Sequence, residues 1–74
     1  MSVFNYNITE RIAVLSQNKD GSKTLELNRI SYGGRPAKLD LRHWNREEDT
    51  MLKGITLSDE EAVHLRDALA QILK

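Results

Sequence analysis

The sequence predicts an α+β fold, a four-stranded antiparallel sheet followed by one C-terminal helix in the order β-β-β-β-α. Three observations predict it. Apolar residues alternate with polar ones in successive segments, and polar, glycine-containing turns divide those segments. A capping box at Ser58 then opens a stretch in which the apolar period changes from 2 to 3.6. A chain of 74 residues fits a single domain spanning 1–74.

Phe4 to Ser16 reads as the first strand, rich in β-branched residues, with Ile8, Ile12 and Val14 on one parity. Asn18-Lys19-Asp20-Gly21-Ser22 is a hairpin signal. Lys23 to Tyr32 reads as the second strand, with Leu25 and Leu27 on one face. The apolar character then passes to Ile30 and Tyr32, which predicts a bulge or strong twist near Asn28 and Arg29. Gly33-Gly34-Arg35-Pro36 is the next turn. Ala37 to Trp44 is the cleanest strand: Leu39 and Leu41 point one way, and Lys38, Asp40, Arg42 and Trp44 point the other. After the polar loop Asn45 to Thr50, Met51-Leu52-Lys53 reads as a short fourth strand ended by Gly54. Ser58 caps the helix, with Glu61 completing the box and Asp59, Glu60 and Glu61 placing negative charge where the dipole favours it. Ala62, Leu65, Leu69 and Ile72 form the apolar stripe, widened by Val63, Ala68 and Leu73, and Leu57 is placed to staple against Ala62. So wide a stripe on so short a chain fits helix-mediated homodimerisation, the one staple left to a small domain without cysteine.

Composition excludes several classes. Without cysteine there is no disulfide and no thiolate metal site, and His43 and His64 fall in no ligand spacing, so no metal and no cofactor are expected. No apolar run approaches a membrane span and no secretory leader is read at the N-terminus, so the expected location is cytoplasmic. Net charge is zero but divided: up to Arg46 there are eight basic and four acidic residues, and after it three basic and seven acidic. A basic face on a neutral protein is compatible with that division. No serine or histidine is placed for nucleophilic or general-base work, and there is no phosphate loop, so the protein is expected not to be an enzyme.

The pattern that carries chemistry is the outward parity of the third strand. Lys38, Arg42 and Trp44 project together, and Arg29 and Tyr32 join them if the bulge turns them to that side. Cations for phosphates beside an indole for an unstacked base suit a single strand and tolerate any sequence. The plain alternative makes Trp44 core and the charges solubilising; the parity of Trp44 with Lys38 and Arg42 weighs against it. On the exposed reading, Trp44→Ala weakens binding and leaves the fold intact. Single-stranded RNA and a protein-interaction surface remain open as alternatives, because phosphates and base faces are common to DNA and RNA and an aromatic among cations also makes a protein hot spot.

Two stretches resemble a known family. Leu39-Asp40-Leu41-Arg42-His43-Trp44 is similar to the aliphatic-Asp-aliphatic-Arg strand leading to an aromatic in the positive-cofactor-four type of transcriptional coactivator domain. Lys53-Gly54-Ile55-Thr56-Leu57-Ser58 is similar to its Lys-Gly-Ile-Ser/Thr-Leu run into the helix. Asn28-Arg29-Ile30-Ser31-Tyr32 resembles the short bacterial YdbC-like branch, and the likeness runs from about Ile8 to Leu73. The resemblance implies a homodimer with its helices at the interface, and curved sheets whose ridges bind single-stranded DNA with little sequence preference. It implies phosphate contacts at Arg42 and Lys53 and a stacking platform at Trp44, with Lys38, Arg29 and Tyr32 lining the same channel. No counterpart of the Ser- and Lys-rich regulatory tail of eukaryotic members is expected, which puts regulated coactivation through such a tail in doubt. What remains is a role in transcription regulation, replication or repair, with the transcription machinery as a partner.

Overall fold

The computed structural model describes residues 5–73. Four antiparallel strands, β1 (Tyr6–Gln17), β2 (Lys23–Tyr32), β3 (Lys38–Asn45) and β4 (Thr50–Leu57), form one open sheet in the order β1-β2-β3-β4, followed by helix α1 (Asp59–Ile72). The turns follow their chemistry. Gly21 (φ +75°) closes the first hairpin, where Asn18 Oδ1 accepts from the Lys23 amide at 2.9 Å. Gly33 and Gly34 supply positive φ in the second. The third turn takes its one left-handed residue from Asp49 (φ 58°), and the Arg46 amide donates to the Ser22 carbonyl at 2.6 Å, tying the first and third turns together. The Phe4 end assigned to the first strand lies outside the described residues.

The irregularity expected in β2 lies instead in β1. β2 pairs with β3 without a register break from Lys23 to Ile30. Its buried residues, Thr24, Glu26, Asn28 and Ile30, alternate perfectly, so the period never fails; the buried set is simply polar. The bulges are on the other side of the ladder: register shifts between Ile8 and Glu10, Arg11 and Ala13, and Val14 and Ser16 leave Thr9, Ile12 and Leu15 as unpaired extra residues. Each bulge adds twist, and three of them let the 12-residue β1 wind along the 10-residue β2. Counting by twos along β1 therefore assigns its faces wrongly.

β4 is longer than the three residues read from sequence, because Gly54 is inside it. Gly54 pairs with Arg42, and a Cβ there would overlap the Arg42 Cβ and approach the Arg42 Cα and the Leu41 carbonyl oxygen to 2.7 Å. The glycine marks a close approach of two backbones rather than a stop. A shift between Arg42 and Trp44 sets Leu52 and Lys53 together opposite His43.

The sheet has two unlike faces. One carries Leu25, Leu27, Leu39 and Leu41, all half-buried, and α1 lies over part of it: Leu27, Leu39, Leu57, Ala62, Leu65 and Leu69 line a shared recess. The staple partners Leu57 and Ala62 meet there as expected. The capping box forms, with Ser58 Oγ accepting from the Glu61 amide at 3.0 Å and the Ser58 amide donating to Glu61 Oε1 at 2.8 Å. No residue of α1 is buried within one chain, and Val63, Leu65, Leu69 and Ile72 stay at least 40% exposed. The other face carries the buried residues of the described chain: Ile30 and Trp44 with the polar Thr24, Glu26, Asn28 and Asp40.

Candidate nucleic-acid interface

Strand alternation puts Lys38, Asp40, Arg42 and Trp44 of β3 on the polar face, beside Ile30, Asn28, Glu26 and Thr24 of β2. The parity read from sequence is thus right, but that side is the sheltered one. Trp44 is 1% exposed and is not an open stacking platform. The Tyr6 ring lies over it at 6.0 Å and 58°, and the Arg46 guanidinium sits 4.3 Å from the indole centroid on a cation–π contact. Its Nε1 has no hydrogen-bond partner among the described residues. The correction has a physical reason. Tyr6 of β1 and Arg46 of the third turn pack against the indole, so this large ring of β3 is covered. Alternation within β3 reports only its side, never its cover.

Arg42 is equally committed. Its Nε and Nη2 hold both oxygens of Asp40 at 2.8 Å, Nη2 also reaches the Tyr32 hydroxyl at 3.3 Å, and Nη1 donates to the Leu52 carbonyl at 2.9 Å. Asp40 is fully buried, and Tyr32 donates its hydroxyl hydrogen to Asp40 Oδ2 at 2.6 Å. Burial, and then the adjacent Asp40 carboxylate, push the Tyr32 phenol up to about 12, so it remains a donor throughout the neutral range. This bidentate pair is a structural clamp between β3, β2 and β4. Tyr32 meets Arg42 on this face through the regular alternation of β2 and not through a bulge. Arg29 does not: it alternates to the opposite face, between Glu10 (3.4 Å) and Asp59 (3.6 Å).

A second clamp was not read from sequence. Arg46 holds Glu26 through Nε–Oε2 (2.8 Å) and Nη2–Oε1 (2.5 Å) and reaches Asp49 Oδ1 at 2.7 Å through Nη1. Thr24 Oγ1 and Asn28 Nδ2 complete the Glu26 shell. The Arg46 hydrogen bonds, opposed by burial, hold the Glu26 carboxyl at about 2. The one local signal for Arg46 was its spacing of two from Trp44; its partner lies 20 residues away.

Lys38 and Lys53 are different. Both are exposed, and neither makes an ion pair among the described residues; Arg11 and Arg35 share that condition. Lys38 lines a cleft with Arg35 and Leu57, and Lys53 lines another with Leu25, Leu41 and His43. Cations without partners can trade solvent counterions for phosphates, whereas Arg42 and Arg46 would first have to leave buried carboxylates. Among the described residues no group of three or more His, Asp or Glu could hold a metal, and no helix is long and apolar enough to cross a membrane.

Residues 19–68 match the family model described as Transcriptional Coactivator p15 (PC4). A Treponema pallidum (strain Nichols) protein described as uncharacterized is 44% identical over 66 residues, covering 89% of this chain and 76% of that protein.

Proposed function

Because the chain belongs to the Transcriptional Coactivator p15 (PC4) family, we propose that it is a non-enzymatic, cytoplasmic single-stranded DNA-binding protein with little sequence preference, acting in transcription regulation, replication or repair. The observation that carries the reading is the family match itself. It runs through the clamped β3, the bulged β4 and the capped start of α1. We accordingly reassign the roles expected of the residues. Lys38 and Lys53 make the salt-sensitive phosphate contacts. Arg42 shapes the surface through Asp40 and offers phosphate only the remaining hydrogen of Nη1. Stacking falls to the half-buried rings of Tyr6 and Tyr32 rather than to Trp44.

Fluorescence anisotropy of a labelled single strand tests this, with matched duplex and RNA as competitors. The single DNA strand is expected to win both competitions, and affinity to fall with salt. Each phosphate contact on a single strand contributes about 0.7 to the slope of log K against log salt. The double variant Lys38→Gln/Lys53→Gln is therefore expected to lower that slope by about 1.4. No binding at low salt would sink the proposal, an unchanged slope would remove both lysines from the contacts, and preference for RNA would reassign the ligand.

We also assign the working unit as a homodimer through the helices. The supporting observation is the exposed side of α1 that carries Leu65, Leu69, Ile72 and Leu73, since a monomer seldom leaves so continuous an apolar stripe in water. Sedimentation equilibrium is expected to give twice the 8.5 kDa chain mass; a mass of one chain at every concentration would refute it.

A further inference from the structure

β1 spans Tyr6–Gln17 and lies wholly outside the residues that match the family, 19–68. It nevertheless closes a notch on the polar face. Arg11, Ile12, Val14, Glu26, Asn28 and Arg46 line this space of about 280 Å³, at the small end for a ligand site. Its parts differ chemically. Ile12, an unpaired bulge residue, and Val14, paired with Glu26, form an apolar wall, 42% and 59% exposed. The floor is polar and built: Glu26 is 4% exposed and Asn28 1%. Glu26 has its charge answered by Arg46, so the floor does not repel an anion as a bare carboxylate would. Asn28 spends one Nδ2 hydrogen on Glu26 at 3.4 Å, and its Oδ1 has no hydrogen-bond partner among the described residues. At the mouth stands Arg11, exposed and without an ion pair among the described residues.

A flat apolar wall, a buried amide with a spare acceptor and donor, and a free cation at the rim match one nucleotide. The geometry points to a nucleotide subsite in which a single unpaired base of a bound strand lies against Ile12 and Val14. Its edge faces the Asn28 amide and its phosphate lies on Arg11. An amide offers a donor and an acceptor side by side, the pair that adenine N6 and N7 complement. A duplex cannot fill the notch, because its bases are stacked and paired. This subsite rests on the single-strand reading above and adds to it a contact outside the family segment.

The test is a titration of the full chain, labelled at methyl groups and side-chain amides, with single-stranded DNA of about ten nucleotides, within the usual range of site sizes. The Ile12 and Val14 methyl resonances and the Asn28 side-chain amide are expected to shift through the ring current of the inserted base. Val14→Glu, on a largely exposed side chain, is expected to lower affinity at least about tenfold while leaving the unfolding midpoint unchanged, because it sets a negative charge beside the phosphate. Arg11→Gln is expected to reduce the salt slope by about 0.7. Binding of the strand with the Ile12 and Val14 methyls unmoved, and with Val14→Glu at wild-type affinity, would overturn the subsite and leave the single-strand reading standing. Absence of any binding by the wild-type chain would overturn both.

Discussion

Trp44→Ala is expected to unfold much of the protein rather than merely to weaken a contact with DNA. The ring is 1% exposed and is one of only two buried apolar side chains among the described residues, the other being Ile30. Truncating a buried tryptophan typically costs about 3–5 kcal/mol, through lost transfer energy and the cavity left behind. Here the Tyr6 ring and the Arg46 guanidinium also lose the surface they rest on. At 0.05–0.15 kcal/mol per residue, a chain of this length has only about 4–11 kcal/mol of total stability. The variant should show a urea midpoint greatly lowered or absent by far-UV circular dichroism, at matched protein concentration. Trp44→Phe supplies the control. Nε1 has no partner among the described residues, so phenylalanine removes none of their hydrogen bonds and leaves a smaller void, with an expected cost of about 1–2 kcal/mol. A Trp44→Ala variant that unfolds cooperatively at the wild-type midpoint, yet no longer binds DNA, would restore the indole to an open surface.

Trp44 also shows where sequence reading stops. Local chemistry was legible wherever one short segment carries the whole signal: the Ser58–Glu61 box, the Gly21 and Gly33–Gly34 turns, and the alternation that puts Lys38, Arg42 and Trp44 on one side of β3. The reading of that side as the open one failed because its cover comes from Tyr6 and Arg46, whose positions depend on tertiary curvature. β2 misled for a related reason. Its buried residues are Thr24, Glu26, Asn28 and Ile30, and a hydrophobic period cannot register a mainly polar buried row in which Glu26 is paired with an arginine 20 residues distant. β1 hid its faces behind three inserted residues, so Arg11 and Val14 could not be placed toward Asn28 and Glu26 by counting. Gly54 read as a terminator because a glycine needed for close backbone approach is, in one dimension, the same letter as a glycine needed for a turn. Of the six residues singled out, Tyr32 and Arg42 meet around Asp40, Trp44 is sheltered on their side, Lys38 and Lys53 are exposed, and Arg29 lies on the opposite face.

The same buried polar row makes stability strongly acid-dependent. Glu26 is held at about 2 in the folded chain, against 4.5 as its ordinary value, first by its hydrogen bonds to Arg46 and with burial acting in the opposite direction. The unfolded chain therefore binds the proton more readily, and stability rises with pH through this window. The contribution is complete above about pH 4.5 and is lost as pH falls toward 2, amounting to at most about 3 kcal/mol. Asp20, lowered mainly by the Ser22 hydrogen bonds, acts in the same direction from an exposed turn, so the wild-type curve alone does not isolate Glu26. Glu26→Gln does. It retains the size of the side chain but leaves Arg46 without its buried carboxylate, and it has no carboxyl to titrate. Urea midpoints at fixed protein concentration should differ widely between wild type and variant at pH 6, and the gap should close progressively below pH 4.5 as protonation removes the same charge from the wild type. Parallel curves from pH 6 to pH 2.5 would show that the Glu26–Arg46 pair contributes no net ionic stabilisation. The polar face would then be held by Trp44 and the Asp40–Arg42 clamp alone.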